Sequence, residues 1–280
     1  MTSIRVITYN VNGKGPDTDD LRALFGVQDM GNLPDMIVLG LQEVCDTQSE
    51  WKRKIMEYLC SCGGVYSCGG FIPVYTLVRM ERVQSLMLAI FTKTVQQHRM
   101  SGVSFCESNG TAVFSFKVEG GSKVALVCSH LRPQQDLQLM YEEVLKGVDF
   151  KETGVENDLL KHDHVIWFGD LNCRIQGMEA KQVINVEPDT TDNLLKNHDP
   201  LTLCIENGTA FHGFQEVSVI RFKPTYKFIP GQEEYDLTEV PSWTDRILSK
   251  SGNIKCLAYQ AHFQHKLSDH RPVSAHIFLK

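Results

Sequence analysis

Residues 164–174 read HVIWFGDLNCR, and this stretch decides the fold. The run 164–168 is short, apolar and rich in β-branched and aromatic residues, which is typical of a buried strand. It ends abruptly in Gly169-Asp170-Leu171-Asn172, and functional residues are often placed at such strand ends, facing a cleft. Alone, Gly-Asp-x-Asn is more often a turn held by Asx hydrogen bonds. Whether this segment is a turn or part of a functional site therefore has to be judged from the rest of the sequence.

The same kind of apolar run recurs along the chain and predicts many strands. Besides 164–168, the predicted strands are 4–9, 36–41, 86–91, 112–118, 124–129, 254–260 and 273–279. Fewer segments indicate helices, namely 19–25, 49–59, 136–145 and 189–195. We find no internal repeat and no Ser/Gly- or Pro-rich linker. The pattern predicts one mixed α/β domain over residues 1–280.

Composition and charge exclude several classes of protein. With 42% hydrophobic and 22% charged residues, the chain of 280 residues has ordinary values for a globular protein. The formal net charge of −6 argues against a basic face that binds nucleic acid. Nine cysteines without paired C-x-x-C blocks or a secretory leader favour a reduced, cytoplasmic compartment. The apolar runs are too short to span a bilayer, so we expect only peripheral membrane contact.

Five polar clusters follow apolar runs, and their joint content points to metal-assisted chemistry. They are Asn10-Val11-Asn12, Gln42-Glu43, Ser129-His130, residues 169–172 and Ser268-Asp269-His270. Asn, Asp, Glu and His without a cysteine pair supply hard oxygen ligands and acid/base groups, the set expected around Mg²⁺. Zinc is disfavoured because H-E-x-x-H and finger spacings are absent from the sequence. No cysteine has Arg six residues later, which excludes a cysteine phosphatase, and no Walker A loop is present.

Six segments resemble, in order, the motifs of the inositol polyphosphate 5-phosphatases. They are TYNVNG (8–13), GLQE (40–43), WFGDLNCR (167–174), FKPTYKF (222–228), PSWTDRIL (241–248) and SDHRPV (268–273). The W-x-G-D-x-N-x-R and P-x-W-x-D-R-I-L pair is specific, whereas the remaining polar residues alone indicate only the wider endonuclease/exonuclease/phosphatase superfamily. The resemblance implies a deoxyribonuclease-like, four-layer α/β/β/α sandwich, in which two packed, mostly antiparallel sheets are flanked by helices.

The resemblance also implies roles for the clustered residues. Glu43 would be the main Mg²⁺ ligand, with Asn10 and Asn12 nearby and Asp269 bound through water. Asp170, held by Asn172, would activate a water that attacks phosphorus in line with the leaving oxygen, without a covalent intermediate. His270, oriented by Asp245, and His130 would face the phosphate. Tyr226, Lys227, Arg174 and Arg246 would bind substrate, although both arginines fit structural ion pairs equally well.

Two departures from the family pattern concern the contacts to further phosphates. The segment 235–240 reads YDLTEV, with Glu239 where a cation is expected, which puts selectivity for a 4,5-bisphosphate in doubt. The segment 108–112 reads SNGTA and lacks a lysine that would meet the 1-phosphate, so we expect that contact to be looser or to be supplied by Arg79, Arg82 or Lys93 instead. The apolar segment 69–74 is a candidate lipid contact, but a buried loop is favoured.

The leading hypothesis is a Mg²⁺-dependent hydrolase of lipid metabolism. It would remove the 5-phosphate from phosphatidylinositol 4,5-bisphosphate, the 3,4,5-trisphosphate or soluble inositol polyphosphates, as a monomer in the cytoplasm that touches membranes peripherally. Two alternatives stay open. One is a phosphodiesterase such as a nuclease or sphingomyelinase, which plasmid nicking would reveal. The other is a catalytically weak phosphoinositide-binding module, which would hold lipid without releasing phosphate.

Overall fold

Two six-stranded β-sheets lie face to face in the computed structural model, which describes residues 1–16, 21, 24–25, 33–45, 48–67, 70–150, 159–251 and 253–280. The strands of the described residues are β1 (Thr2–Asn10), β2 (Met36–Gln42), β3 (Gly64–Ser67), β4 (Gly70–Pro73), β5 (Tyr75–Val83), β6 (Leu86–Lys93), β7 (Met100–Ser108), β8 (Thr111–Val118), β9 (Lys123–His130), β10 (His164–Asp170), β11 (Gln215–Glu216), β12 (Asp245–Lys250), β13 (Ile254–Ala261) and β14 (Val273–Leu279). The helices are α1 (Gln48–Ser61), α2 (Leu137–Gly147), α3 (Ala180–Ile184), α4 (Thr191–His198) and α5 (Pro200–Asn207), with 3₁₀ turns at Thr94–Arg99 and Leu159–Lys161.

The two sheets have matching layouts. The first runs β13-β14-β1-β2-β6-β5 and the second β11-β12-β10-β9-β8-β7. In each sheet one central pair is parallel, β1 with β2 and β9 with β10, while the neighbouring pairs are antiparallel. The predicted mostly antiparallel arrangement is confirmed. Parallel strands carry their carboxyl ends to the same edge, so β1, β2, β9 and β10 deliver the residues that follow them to one end of the molecule.

Apolar burial fixes the four layers. Inward-facing side chains of both sheets form one cluster that includes Val6, Val38, Leu126, Ile166 and Phe168. At Gly40 the sheets come so close that a Cβ would collide with Cys128 and Phe168 of the second sheet. Outer faces are covered by helices, with α1 on the first sheet and α2 and α5 on the second. The predicted α/β/β/α sandwich is confirmed.

Most predicted elements are present, with ends that differ by a few residues. All eight predicted strands are confirmed, as are the helices predicted at 49–59, 136–145 and 189–195. The helix predicted at 19–25 falls mainly outside the described residues. The prediction of a buried loop at 69–74 is wrong, because β3 and β4 form a hairpin on which Phe71 and Ile72 are each 42% exposed. Among the described residues, no helix is long and apolar enough to cross a membrane.

Arg246 requires a correction. It lies on β12 with its side chain only 1% exposed, and its Nη1 is 2.8 Å from Asp199 Oδ2. Its Nε also donates to Glu216 of β11. Burial alone would lower the pKa of Arg246, but the carboxylates of Asp199 and Glu216 outweigh burial and raise it. With no exposed surface from which to reach a ligand, Arg246 supports the fold, and its predicted role in substrate binding is wrong.

Replacing Arg246 tests this structural role. In Arg246→Ala two carboxylates lose their buried partner, and we expect the free energy of unfolding to fall by about 3–5 kcal/mol. Arg221 pairs with Asp189 on the surface, with side chains 63% and 90% exposed, and provides the matched control. Urea unfolding of Arg221→Ala should show a loss below about 1 kcal/mol. Equal losses in the two variants would contradict the assignment.

Candidate active site

The predicted site residues meet at the end of the sandwich to which the parallel strands point. Asn10 ends β1, His130 ends β9 and Asp170 ends β10, while Glu43 directly follows β2. The register pairs Asp170 with both His130 and Asp245, the first residue of β12. The segment 268–272 then turns into β14, which is antiparallel to β1, and so brings His270 to the same end. Six residues that are distant in sequence thereby surround one small volume.

Asp170 lies at the centre of this volume and is 1% exposed. Its Oδ1 accepts the backbone N–H of Asn172 at 3.0 Å, and its Oδ2 accepts Asn10 Nδ2 at 3.0 Å. The Nε2 atoms of His130 and His270 lie 3.5 and 3.7 Å from the same Oδ2. Asn172 therefore holds Asp170 as predicted, but through its backbone. These neighbours stabilise a buried carboxylate and leave one oxygen directed towards the two imidazoles.

The backbone around Asp170 is shaped by glycine and by local turns. Gly169 has a φ of +141°, and a Cβ there would collide with the carbonyl of Ser129 on β9. Glycine is therefore required directly before the Asp170 carboxylate. Asn12, Glu43 and Asn172 adopt φ values of 47°, 57° and 51°, in the left-handed region that most residues avoid. Each follows a central strand, and such conformations concentrate at functional sites.

His270 is oriented by Asp245, as the sequence predicts. His270 Nδ1 lies 3.0 Å from Asp245 Oδ2, which also accepts the hydroxyls of Thr225 at 2.7 Å and Thr244 at 3.0 Å. Burial alone would lower the pKa of His270, but the charges of Asp245 and Asp170 raise it to about 9. His270 is thus an imidazolium at neutral pH in the absence of metal, with its Nε2–H directed into the site.

The residues predicted to hold Mg²⁺ lie beside Asp170. Glu43 is 40% exposed at its side chain, and its Oε1 accepts Asn10 Nδ2 at 2.9 Å. The backbone N–H of Asn12 donates to Asn10 Oδ1 at 3.0 Å and so helps to fix the Asn10 side chain. Ser268 Oγ lies 2.7 Å from the Asn10 carbonyl and 3.2 Å from Asp269 Oδ1, which ties the segment of Asp269 to the end of β1. The Glu43 carboxylate, with a side chain 40% exposed, is the kind of oxygen ligand that Mg²⁺ prefers, and Asn10 directs its Nδ2 donor towards it.

A second group could also hold a metal ion. Ligand atoms of Asp170, Asp245 and His270 lie within 4.8 Å of one another. However, His270 and Asp245 are already bound to each other as an ion pair in a buried position. Because Mg²⁺ keeps several waters and rarely takes imidazole, the solvent-accessible carboxylate of Glu43 fits it better.

Three of the predicted substrate-binding residues form a cluster next to His270 and Asn172. The ring of Tyr226 lies 4.4 Å from the ring of His270, and the Arg174 guanidinium lies 3.8 Å above the ring of Tyr226. Arg174 Nη2 donates to Asn172 Oδ1 at 2.7 Å. Lys227, the next residue after Tyr226, is positively charged and contacts the carboxylates of Asp236 and Glu239. Arg174, Tyr226 and Lys227 therefore place hydrogen-bond donors for an anion close to Asp170.

A cavity of about 210 Å³ borders His130. It is lined by the β5–β6 turn, Asn109, Gly110, His130 and Arg132. Among the residues that the structure describes, Arg132 is exposed and makes no hydrogen bond or ion pair. Arg132 directly follows the His130-Leu131 pair in the sequence, a position that could have suggested it. Sequence reasoning named Arg79, Arg82 and Lys93 instead.

Two of those three cations are already paired elsewhere. Arg79 Nε lies 2.8 Å from Glu81 and its guanidinium lies over Phe105, while Lys93 contacts Asp35 and the Leu33 carbonyl at the end of β6 away from the β5–β6 turn. Arg82 donates to the carbonyl of Gln84, close to the cavity, and to that of Cys45. Arg132 therefore fits the predicted cation better than Arg79 or Lys93.

Comparison with known proteins agrees with this geometry. The chain matches the family described as Endonuclease/Exonuclease/phosphatase family 2 over residues 7–276. It is 32% identical to the polyphosphatidylinositol phosphatase INP53 of Saccharomyces cerevisiae over 96% of this chain and 26% of that protein, so it spans about a quarter of that relative. It is 30% identical to the type IV inositol polyphosphate 5-phosphatase 11 of Arabidopsis thaliana, over 99% of this chain and 82% of that protein.

A solved structure shares the fold across nearly the whole chain. The inositol polyphosphate 5-phosphatase domain of SPsynaptojanin, in complex with inositol (1,4)-bisphosphate and calcium, superposes with a TM-score of 0.84 at 26% identity, covering 99% of this chain and 85% of that one. The fold and the site define a member of the endonuclease/exonuclease/phosphatase superfamily. Within it, the chain belongs to the inositol polyphosphate 5-phosphatase family.

The ion pair between His270 and Asp245 predicts a measurable titration. In the metal-free protein His270 should stay protonated at pH 7 and lose its proton as the pH rises through about 9. In Asp245→Asn the opposing effect of burial is less compensated, so the pKa should fall. Histidine-selective NMR titration of both proteins measures this difference. An unchanged midpoint in Asp245→Asn would show that Asp245 does not control the charge of His270.

Proposed function

We propose that this protein is a Mg²⁺-dependent phosphomonoesterase that removes the 5-phosphate from phosphoinositides or soluble inositol polyphosphates. One observation carries the proposal: the buried Asp170 carboxylate is within 3.7 Å of the Nε2 atoms of two histidines, and Asn10 links it to the exposed carboxylate of Glu43. A base, two donors for phosphate oxygens and a metal carboxylate therefore stand together, as hydrolysis of a phosphate ester requires.

The chain's own residues divide the chemistry as follows. Asp170 Oδ2 accepts a proton from the attacking water and orients it towards phosphorus, in line with the inositol oxygen that leaves. His270 donates from Nε2 to a non-bridging phosphate oxygen, and its charge is maintained by Asp245. His130, whose Nε2 lies 3.5 Å from the same Asp170 oxygen, donates to the same phosphoryl group. No side chain needs to form a bond to phosphorus, so no covalent intermediate is expected.

The metal would be held by Glu43, with Asn10 close by and Asp269 reached through water. When bound, Mg²⁺ supplies positive charge that stabilises the negative charge on the phosphoryl oxygens. Magnesium as the physiological ion, and Asp269 as its indirect ligand, are parts of the proposal. They are supported by the oxygen character of the donors and by calcium in the solved relative.

The substrate class is supported by the relatives. One is a polyphosphatidylinositol phosphatase and another an inositol polyphosphate 5-phosphatase. By this likeness the candidate substrates are phosphatidylinositol 4,5-bisphosphate, the 3,4,5-trisphosphate and their soluble headgroups. We also propose that the protein acts as a cytoplasmic monomer in peripheral contact with membranes, since a phosphoinositide headgroup lies at a membrane surface.

Replacing Asp170 tests the assignment of the base. Asp170→Asn keeps the shape of the side chain but loses its basic oxygen, and we expect phosphate release with Mg²⁺ to fall by about 10²–10⁴-fold. The matched control is Asp192→Asn, which removes a surface carboxylate paired with Lys196. Release should be measured across phosphoinositides and inositol phosphates, with and without EDTA. Near-normal turnover of Asp170→Asn would refute the assignment, and turnover unaffected by EDTA would refute the metal requirement.

Arg132 gives a second test on the substrate. If it contacts an anionic group beyond His130, Arg132→Gln should raise KM by about tenfold with little change in kcat, because a contact made equally in the ground and transition states affects only binding. Arg99→Gln, which removes a surface arginine paired with Glu119, serves as the control. Equal KM values for the two variants would show that Arg132 does not contact the substrate.

A further inference from the structure

Every cationic or hydroxyl donor in the cluster beside the catalytic residues is bound by a carboxylate of this chain. Arg174 Nη1 donates to Glu239 Oε2 at 2.8 Å, and the Tyr226 hydroxyl donates to Glu239 Oε1 at 3.2 Å. Lys227 Nζ lies 3.7 Å from Glu239 Oε1 and 3.2 Å from Asp236 Oδ2. Two positive and two negative charges are thus paired, and the cluster has no net charge.

One of these carboxylates, Asp236, is held in place by its own short turn. Asp236 Oδ1 accepts both the backbone N–H of Thr238 at 3.0 Å and its hydroxyl at 2.7 Å. The two bonds from Thr238, together with Lys227, lower the pKa of Asp236 to about 2, and the bond to Asp236 raises the pKa of Lys227. Asp236 is therefore charged at neutral pH next to the cations that would meet an anion.

We propose that Glu239 determines specificity, by acting as a built-in anion that disfavours substrates with a second phosphate on the ring carbon next to the scissile phosphate. This inference rests on the proposed function and adds to it. A second phosphate would have to displace the Glu239 carboxylate from Arg174 and Tyr226. The displaced carboxylate would still lie within one side-chain length of these residues, so the phosphate would be repelled by its charge. A ring hydroxyl instead donates a hydrogen bond to the carboxylate and leaves the pairs intact. Specificity of this kind is a difference between two affinities, produced by repulsion of the disfavoured ligand.

The burial of the cluster makes the effect measurable. Glu239 is 46% exposed, but Arg174 and Lys227 are only 24% and 26% exposed. Partly desolvated pairs are screened less by salt than exposed ones. Glu239 can leave the cluster without unfolding the protein, since it makes its contacts from an exposed turn.

The test compares two substrates that differ only at the neighbouring carbon. We would measure kcat/KM for short-chain phosphatidylinositol 5-phosphate and phosphatidylinositol 4,5-bisphosphate with Mg²⁺. The wild type should cleave the 5-phosphate at least as well as the 4,5-bisphosphate. In Glu239→Gln the ratio of the 4,5-bisphosphate to the 5-phosphate should rise by at least about tenfold, which corresponds to ~1.4 kcal/mol. The change should appear mainly in KM.

The matched control is Glu233→Gln. Glu233 lies on the same loop, is 78% exposed and pairs with Lys266. The substitution Glu233→Gln removes the same charge, and Glu233 does not contact Arg174, Tyr226 or Lys227. The substrate ratio of this variant should therefore equal that of the wild type. An equal rise in both variants would mean that net charge, and not the contacts of Glu239, sets the preference, and would overturn the inference.

Direct binding separates this inference from the proposed function. Inositol 1,4-bisphosphate lacks the 5-phosphate, and calorimetry can compare its Kd with that of inositol 1-phosphate. Glu239→Gln should gain at least about tenfold in affinity for the bisphosphate alone. If the wild type releases no phosphate from any substrate, the proposed function fails and the binding data still decide the role of Glu239. Equal affinities for the bisphosphate in wild type and Glu239→Gln would overturn that role.

Discussion

The hydrogen bond from Asn10 to Asp170 joins the two β-sheets at the catalytic end of the molecule. Asn10 closes a strand of the first sheet and Asp170 closes a strand of the second. A carboxylate buried to this degree is costly unless hydrogen bonds replace its water. The Asn172 backbone and the Asn10 side chain provide those hydrogen bonds, and the Nε2 atoms of the two histidines lie 3.5 and 3.7 Å away. The position of the proposed base therefore depends on how the sheets pack. The apolar cluster between the sheets thereby fixes the geometry of the polar site.

The topology explains why residues from six distant segments reach this point. Each sheet has one parallel pair at its centre, and the carboxyl ends of both pairs point the same way. β12 and β14 run antiparallel to β10 and β1, so both strands start at the end of the molecule where β10 and β1 finish. Asp245 and His270 thus face Asp170 without a long loop. The negative charges of the buried Asp245 and Asp170 carboxylates raise the pKa of His270 and keep its imidazole protonated.

Much of this arrangement could be predicted from the sequence, and the failures have physical reasons. Central strands are buried on both faces and read as apolar runs, so β1, β2, β9 and β10 are recognisable. The edge strands β5 and β7 are half exposed, with polar residues such as Arg79 and Glu81, and lack that signal. The motif segments predict which polar residues matter. Sequence does not predict pairing partners, which is why Arg246 was misassigned and why the contacts of Glu239 and the position of Arg132 beside the cavity emerged only from the fold.

The stereochemistry of hydrolysis tests the central claim most directly. If water held by Asp170 attacks phosphorus in line, without a covalent intermediate, an inositol phosphate with a 5-thiophosphate made chiral by two oxygen isotopes should release thiophosphate of inverted configuration in water of the third oxygen isotope. The new oxygen should come from solvent. Retention of configuration would require two successive displacements and a phosphorylated side chain. That result would contradict the role of Asp170 as the base that directs water.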